Sequence, residues 1–277
     1  LLLPKCAITC FIQIKLKCVA MSEFVLFFDL EADSGSRADD FKWTQVTCAC
    51  ATMISVEACI RATGDPKAAE RAVANGTHRH WWRDVAELGQ DPLEEMLRLM
   101  DMAVLIVAFN GLEYDFPLMK RHYCRNFKRY MAHRAKTLDP FMNIKLATGK
   151  WYKLDRLLMA NGLPAKIANG KEAITMWEQD RREELREYCA ADVFLMARLC
   201  LQSEIVLPEC GRAENRLFGV ASALAAWEAS RRLNPTPTPR PSIPTPTPTP
   251  DLNLKRKNSP PEATPPDVDE SFVFVNA

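Results

Sequence analysis

The chain has almost no net charge, no clustered cysteine motif and no long apolar run, and each shortage removes a class of function. Its 36 basic residues stand against 35 acidic ones, a net charge of +1. No overall field therefore draws it to nucleic acid, so such a partner must be held by local basic patches and by metal ions. Ten cysteines are scattered without a C-x-x-C pair or a Cys/His cluster at zinc spacing. This pattern reads as reduced, mostly buried thiols of an intracellular protein. The oily first twenty residues are interrupted by Lys5, Lys15 and Lys17. They form neither a membrane span nor a clean signal peptide. We expect Met21 to be the true start, residues 1–20 to be a leader outside the fold, and no membrane partner.

With 48% hydrophobic residues over 277 positions, the chain can bury one substantial core plus appendages. That core is expected around Phe24-Val-Leu-Phe-Phe-Asp29-Leu-Glu31-Ala32. Seven of these nine residues are apolar, the pattern of a strand buried on both faces at the centre of a sheet. Alternate side chains of a strand point the same way, so Asp29 and Glu31 leave one face together. Paired carboxylates repel unless they share protons or a hard divalent cation. On this stretch alone, a strand that has simply ended in two solvated acids is the more economical reading. Further acids downstream change that balance.

Residues 43–55 are rich in β-formers and predict one or two strands pairing antiparallel to the first. Residues 64–89 are less periodic and hold His78-Arg-His-Trp-Trp-Arg83. That run invites a substrate-strand reading, but its tryptophans fit better as core plugs. Asp91-Pro92-Leu93-Glu94 has the Asp N-cap, Pro at the first helical position and Glu at the third that start a helix, expected to end near Met102. Residues 103–109 predict a second buried strand, and strand-helix-strand alternation predicts a mixed α/β sheet. A turn at Asn110 to Asp115 leads into a helix expected to reach Arg129. Further helices are expected over 138–147, 151–161 and 171–177, with the longest over 181–201. Residues 121–136 interleave basic and aromatic types, as a strip tracking a single strand does, though an amphipathic helix with a solvated basic face fits as well. From Asn234 onward, Pro-Thr repeats cannot bury a core. We therefore assign 21–232 to the domain and 233–277 to a disordered Pro/Thr-rich tail.

Two more acids join the first pair. Asp115 follows the second buried strand, where open α/β sheets place ligands. Asp192 lies on the long helix one turn after Tyr188, so both project from one face. Asp-x-Glu on a strand, Asn110 with Tyr114-Asp115 after a strand, and Tyr188-x-x-x-Asp192 on a helix resemble, in that order, the motifs of the DEDD superfamily of 3′–5′ exonucleases, tyrosine subgroup. The run Tyr114-Asp-Phe-Pro-Leu118 and the later Lys153-Leu-Asp-Arg-Leu-Leu, Lys166 and Lys171 resemble the proofreading domain of family B DNA polymerases and its stand-alone relatives.

The resemblance, over about residues 22–202, implies an RNase H-like fold with a mixed central sheet flanked by helices. It further implies two Mg²⁺ or Mn²⁺ ions held by Asp29, Glu31, Asp115 and Asp192, Tyr188 orienting the attacking water, and Asn110, Tyr114 and Leu30 touching the substrate strand. Glu113, Asp33 and Glu187 have no motif role and are expected to be solvated. The partner implied is single-stranded nucleic acid, DNA favoured over RNA, with a polymerase or a replication or repair protein as companion. A 3′–5′ exoribonuclease of the same fold and a non-catalytic nucleic-acid-binding or polymerase-accessory module remain open as alternatives.

Overall fold

The structure, a computed structural model, describes residues 23–34, 44–84, 91–123, 126–209, 211–214 and 219–233. The expected leader, 1–20, lies outside the described residues, as does the tail from 234. Leu233, the first position assigned to the tail, is the last residue of a helix.

The expected central strand forms β1, Phe24–Ala32. The β-former-rich stretch gives one antiparallel partner, β2, Val46–Ser55. Two helices follow, α1 over Val56–Ala62 and α2 over Pro66–Ala74. The edge strand β3, Thr77–Trp82, pairs antiparallel with β2. Helix α3, Glu94–Met102, leads to β4, Leu105–Val107, which runs parallel to β1. Then come α4 over Asp115–Met119, a 3₁₀ turn over Lys120–Tyr123, α5 over Phe127–Ala135 and β5, Thr137–Leu138, parallel to β4. The sheet order is β3-β2-β1-β4-β5, mixed in direction, with β1 at the centre. Helices α6 (Pro140–Thr148), α7 (Leu154–Ala160), α8 (Gly170–Glu178) and the long α9 (Arg182–Cys200) follow. A two-stranded β6/β7 hairpin (Glu204–Leu207, Gly211–Glu214) and α10 (Val220–Leu233) complete the described chain. Among the described residues no helix is long and apolar enough to cross a membrane.

Strand alternation divides the interior in two. Phe24, Leu26, Phe28 and Leu30 point to one face, under Met96, Leu97 and Met100 of α3 and Phe116 and Leu118 of α4. Val25 and Phe27 point to the other, under Leu185, Cys189, Val193 and Met196 of α9. Asp29 and Glu31 continue the second series, so β1 directs both acids toward α9.

Several boundaries differ from the sequence reading. The long helix expected after Asp115 is broken: α4 spans five residues, and α5 starts afresh where the Asn126 side chain accepts the Arg129 N–H at 3.0 Å. Residues 103–109 supply only three strand residues, because Ala103 caps α3. Asp91 accepts the Leu93 N–H at 2.8 Å, but the helix starts only at Glu94. The Asp-Pro start signal holds elsewhere: Asp65-Pro66 caps α2 and Asp139-Pro140 caps α6, in stretches read as irregular or as helix already under way.

The basic and aromatic strip over 121–136 is committed internally. Arg129 pairs with Asp101 at 2.7 Å and Glu94 at 3.1 Å, Arg134 donates to the Leu112 carbonyl at 2.7 Å, and His133 and Tyr123 are buried. These groups hold α5 against α3, so the strip does not offer a free row of cations. In the 78–83 run, Trp81 is buried and donates to Glu95 at 3.0 Å, the plug reading. Asp33, expected to be solvated, pairs with Arg83 at 2.5 Å, and Glu113 pairs with Lys145 at 3.2 Å.

Candidate active site

Three separate segments converge at the C-terminal ends of the parallel strands β1 and β4. β1 supplies Asp29 and Glu31. The turn after β4 supplies Asp115 as the first residue of α4. α9 crosses over the β1 face and supplies Tyr188 and Asp192, one turn apart. A cavity of about 910 Å³ opens there, and all eight residues singled out in the sequence line it: Asp29, Leu30, Glu31, Asn110, Tyr114, Asp115, Tyr188 and Asp192. Leu30 differs in kind, because its side chain is in the core on the opposite face and only its backbone faces the acids.

The turn that aims Asp115 is tightly built. Asn110 sits at φ 62°, a left-handed conformation that asparagine tolerates better than most residues. The buried carboxylate of Asp139 accepts the Asn110 N–H at 2.9 Å and the Leu112 N–H at 3.0 Å, clamping the turn to α6. A Cβ on Gly111 would lie 2.4 Å from the Ala108 Cβ and 3.3 Å from Asp115 Oδ2, so no side chain fits. Gly111→Ala should therefore lower stability by roughly 1–3 kcal/mol, the usual cost of overpacking, and should displace Asp115. Thermal melting checks this; an unchanged melting temperature would show that the turn yields at no cost.

The electrostatics are those of acids forced together. Burial, then the charge of Asp192, pushes Asp29 up to about 8. Burial raises Glu31, with Asp29 the next cause, and burial likewise raises Asp115, again with Asp29 next. Burial raises Asp192 too, against the pull of Lys166, whose ammonium forms an ion pair with it. Burial alone would lower Lys166, but the carboxylates of Asp192 and Asp29 more than offset it. Lys166 also lies 5.1 Å from the centre of the Tyr188 ring. Burial, followed by the charge of Glu31, raises the Tyr188 phenol, so that group is a neutral hydroxyl and not a base.

These residues fit hard divalent cations. The Lys166 ammonium faces the carboxylates of Asp192, Asp29 and Glu31, and the buried Asp115 Oδ1 and Asp192 Oδ1 have no hydrogen-bond partner among the described residues. An oxygen-only donor set of this charge suits Mg²⁺ or Mn²⁺. Ligand atoms of Asp29, Glu31 and Cys189 lie within 4.8 Å of one another. No trio of acids, cysteines or histidines that includes Asp115 or Asp192 is that tight among the described residues, so the four acids spread around the cavity.

Sequence reasoning missed Gly111, Asp139 and Trp151. Asp139-Pro140 was a visible helix-start signal. Trp151 is exposed at the cavity wall, with its ring 6.5 Å from that of Phe141. Lys153 and Lys171, quoted for the family likeness, also line the cavity and are exposed.

Fold and site together define a mixed α/β domain with a carboxylate-floored cavity at the ends of its central parallel strands. No family model matches the chain, and no curated protein matches it. Among solved structures it is similar to a family B DNA polymerase from the hyperthermophilic archaeon Pyrobaculum calidifontis, with 16% identity and a TM-score of 0.42 over 64% of this chain and 24% of that one. It is also similar to SSB/Exonuclease I in complex with the inhibitor CFAM, with 16% identity and a TM-score of 0.35 over 64% of this chain and 41% of that one. The chain thus spans under half the length of either.

Proposed function

We propose that this protein is a 3′–5′ exonuclease of RNase H-like fold that removes nucleotides from the 3′ end of single-stranded nucleic acid, DNA favoured, with two divalent cations. The observation that carries this reading is the convergence of Asp29, Glu31, Asp115 and Asp192 from three segments onto one cavity, with two buried carboxylate oxygens left without partners among the described residues. Bound Mg²⁺ or Mn²⁺ would supply activation of water and stabilisation of the leaving 3′-oxygen in an in-line displacement.

The chain's own groups supply the rest. Asp29, Glu31, Asp115 and Asp192 hold the cations. Tyr188 directs its hydroxyl toward the attacking water and positions it. Lys166 holds Asp192 in place through its ion pair and keeps positive charge where a phosphate arrives. Trp151 offers a stacking face for an unpaired base, and Lys153 and Lys171 at the wall of the cavity attract backbone phosphates. Asn110 has a buried Oδ1 without a partner among the described residues, beside the turn that carries Asp115, and with Tyr114 it faces the strand's terminus.

The test is digestion of single strands of DNA and RNA labelled at either end, with Mg²⁺ or with EDTA. The expected result is immediate release of 3′ label, progressive shortening of 5′-labelled strands, and silence in EDTA. Faster digestion of RNA would identify an exoribonuclease instead. Release of 5′ label first would contradict the proposed direction.

A further inference from the structure

The same face of the sheet carries three thiols that hydrolysis does not use. Cys48 and Cys50 on β2 stand directly across from Glu31 and Asp29 of β1. Cys189, on the turn of α9 between Tyr188 and Asp192, packs down onto them, and all three are buried. Their sulfur atoms lie within 4.8 Å of one another. A tetrahedral zinc with bonds of about 2.3 Å sets its sulfurs about 3.8 Å apart, so closure needs movements of about 1 Å or less.

An approach to this cluster exists that is separate from the carboxylate cavity. A cavity of about 410 Å³ reaches Cys50 from the β3 side and is lined by His78, His80, Arg186 and Phe194 among others. His80 is the cross-strand partner of Cys50 and lines this cavity, so an imidazole stands at the entrance to the thiols, while among the described residues it belongs to no ligand group as tight as the three sulfurs and leaves the fourth position to water. No local spacing in the sequence announces such a site, because its ligands come from β2 and from α9, far along the chain.

We propose that Cys48, Cys50 and Cys189 form a site for one thiophilic cation of the zinc class, entered past His80. Binding releases the thiol protons to solvent as the sulfurs ligate. Because Cys189 also belongs to the trio with Asp29 and Glu31, occupancy draws its sulfur toward β2 and shifts α9 relative to β1. Zinc then inhibits hydrolysis without occupying the hard-cation positions. This consequence rests on the nuclease reading above; the binding itself does not.

Cadmium is the probe, read by the ultraviolet charge-transfer band of its thiolate bonds on the full chain. The expected result is one equivalent bound with the band and displaced by Zn²⁺. The band should vanish in Cys48→Ala, Cys50→Ala and Cys189→Ala, and persist in Cys59→Ala, a control from the same core, and in Asp115→Asn. A band that survives the first three substitutions overturns the site. Should those variants fail to fold, X-ray absorption of the wild-type protein with one Zn²⁺ decides, since fewer than three sulfurs bound to the metal contradicts the assignment. Zinc inhibition is then compared between wild type and Cys48→Ala. Binding without activity in any sample would sink the nuclease reading and leave the thiol site standing; equal inhibition of both proteins would overturn the coupling alone.

Discussion

Asp115→Asn will reduce hydrolysis by about four orders of magnitude or more, and Asp192→Asn by as much, because each removes a carboxylate on which assembly of the cation pair depends. The two differ in their effect on the fold. Asp115 has no ion pair among the described residues, and its carboxylate is disfavoured by burial and by Asp29. Its amide variant should therefore melt at the wild-type temperature or above when metal is absent. Asp192→Asn leaves the Lys166 ammonium without its partner in a site where that side chain is only 19% exposed, so this variant should be less stable. Tyr188→Phe retains the ring and its packing and removes one hydroxyl, so the expected loss is roughly 10- to 1,000-fold with metal affinity unchanged. Turnover, metal titration and melting on the three proteins separate these outcomes. An active Asp115→Asn protein would place the chemistry elsewhere.

The metal-free protein will lose stability as pH rises, by roughly 5–10 °C in melting temperature between pH 6 and pH 9, at roughly 2–4 °C per kcal/mol for a domain of this size. The sign follows from the proton count. Asp29 is pushed up to about 8 in the fold, and Glu31 and Asp115 are raised as well. The native state therefore holds protons that the unfolded chain has released above about pH 4. Stability is fully present below that value and is lost as pH climbs through the folded pKa. Asp91 and Asp101 are lowered despite the cost of burial, by His122 and Arg129 respectively, and act in the opposite sense only in acid. His133, lowered by burial, and Cys50, lowered to about 4 by its hydrogen bonds with Cys189 and Cys48, oppose the trend at higher pH but are outnumbered by the raised acids Asp29, Glu31, Asp115 and Asp192. Saturating Mg²⁺ takes the place of the protons, so the melting shift it produces should grow with pH. A shift of equal size at pH 6 and pH 9 would mean that the acids are not its ligands.

Much of the site was legible in the sequence because strand and helix periodicities carry side-chain direction. Asp29 and Glu31 at i and i+2 of an apolar run had to share a face, and Tyr188 and Asp192 at i and i+4 had to share another. The structure brings those faces together. What the sequence concealed are features without a period. Gly111 is needed only because Ala108 and Asp115 close in around it. Asp139 holds a turn that lies 27 residues or more before it in the chain. The thiol cluster joins two strand residues to a helix residue through tertiary packing alone. The short β4 and the broken α4 and α5 were misjudged for a related reason: hydrophobic runs set which segments are buried, while caps such as Ala103 and Asn126 decide where each element stops.

The central claim is that four clustered carboxylates, three of them buried, hold the hard cations, and Mn²⁺ binding at pH 8 tests it most directly. Calorimetry and the loss of the free-ion electron paramagnetic resonance signal should give two Mn²⁺ per wild-type chain. Binding should fall to one or none in Asp29→Asn and Asp115→Asn, with both variants folded. Undiminished binding in both variants would contradict the account.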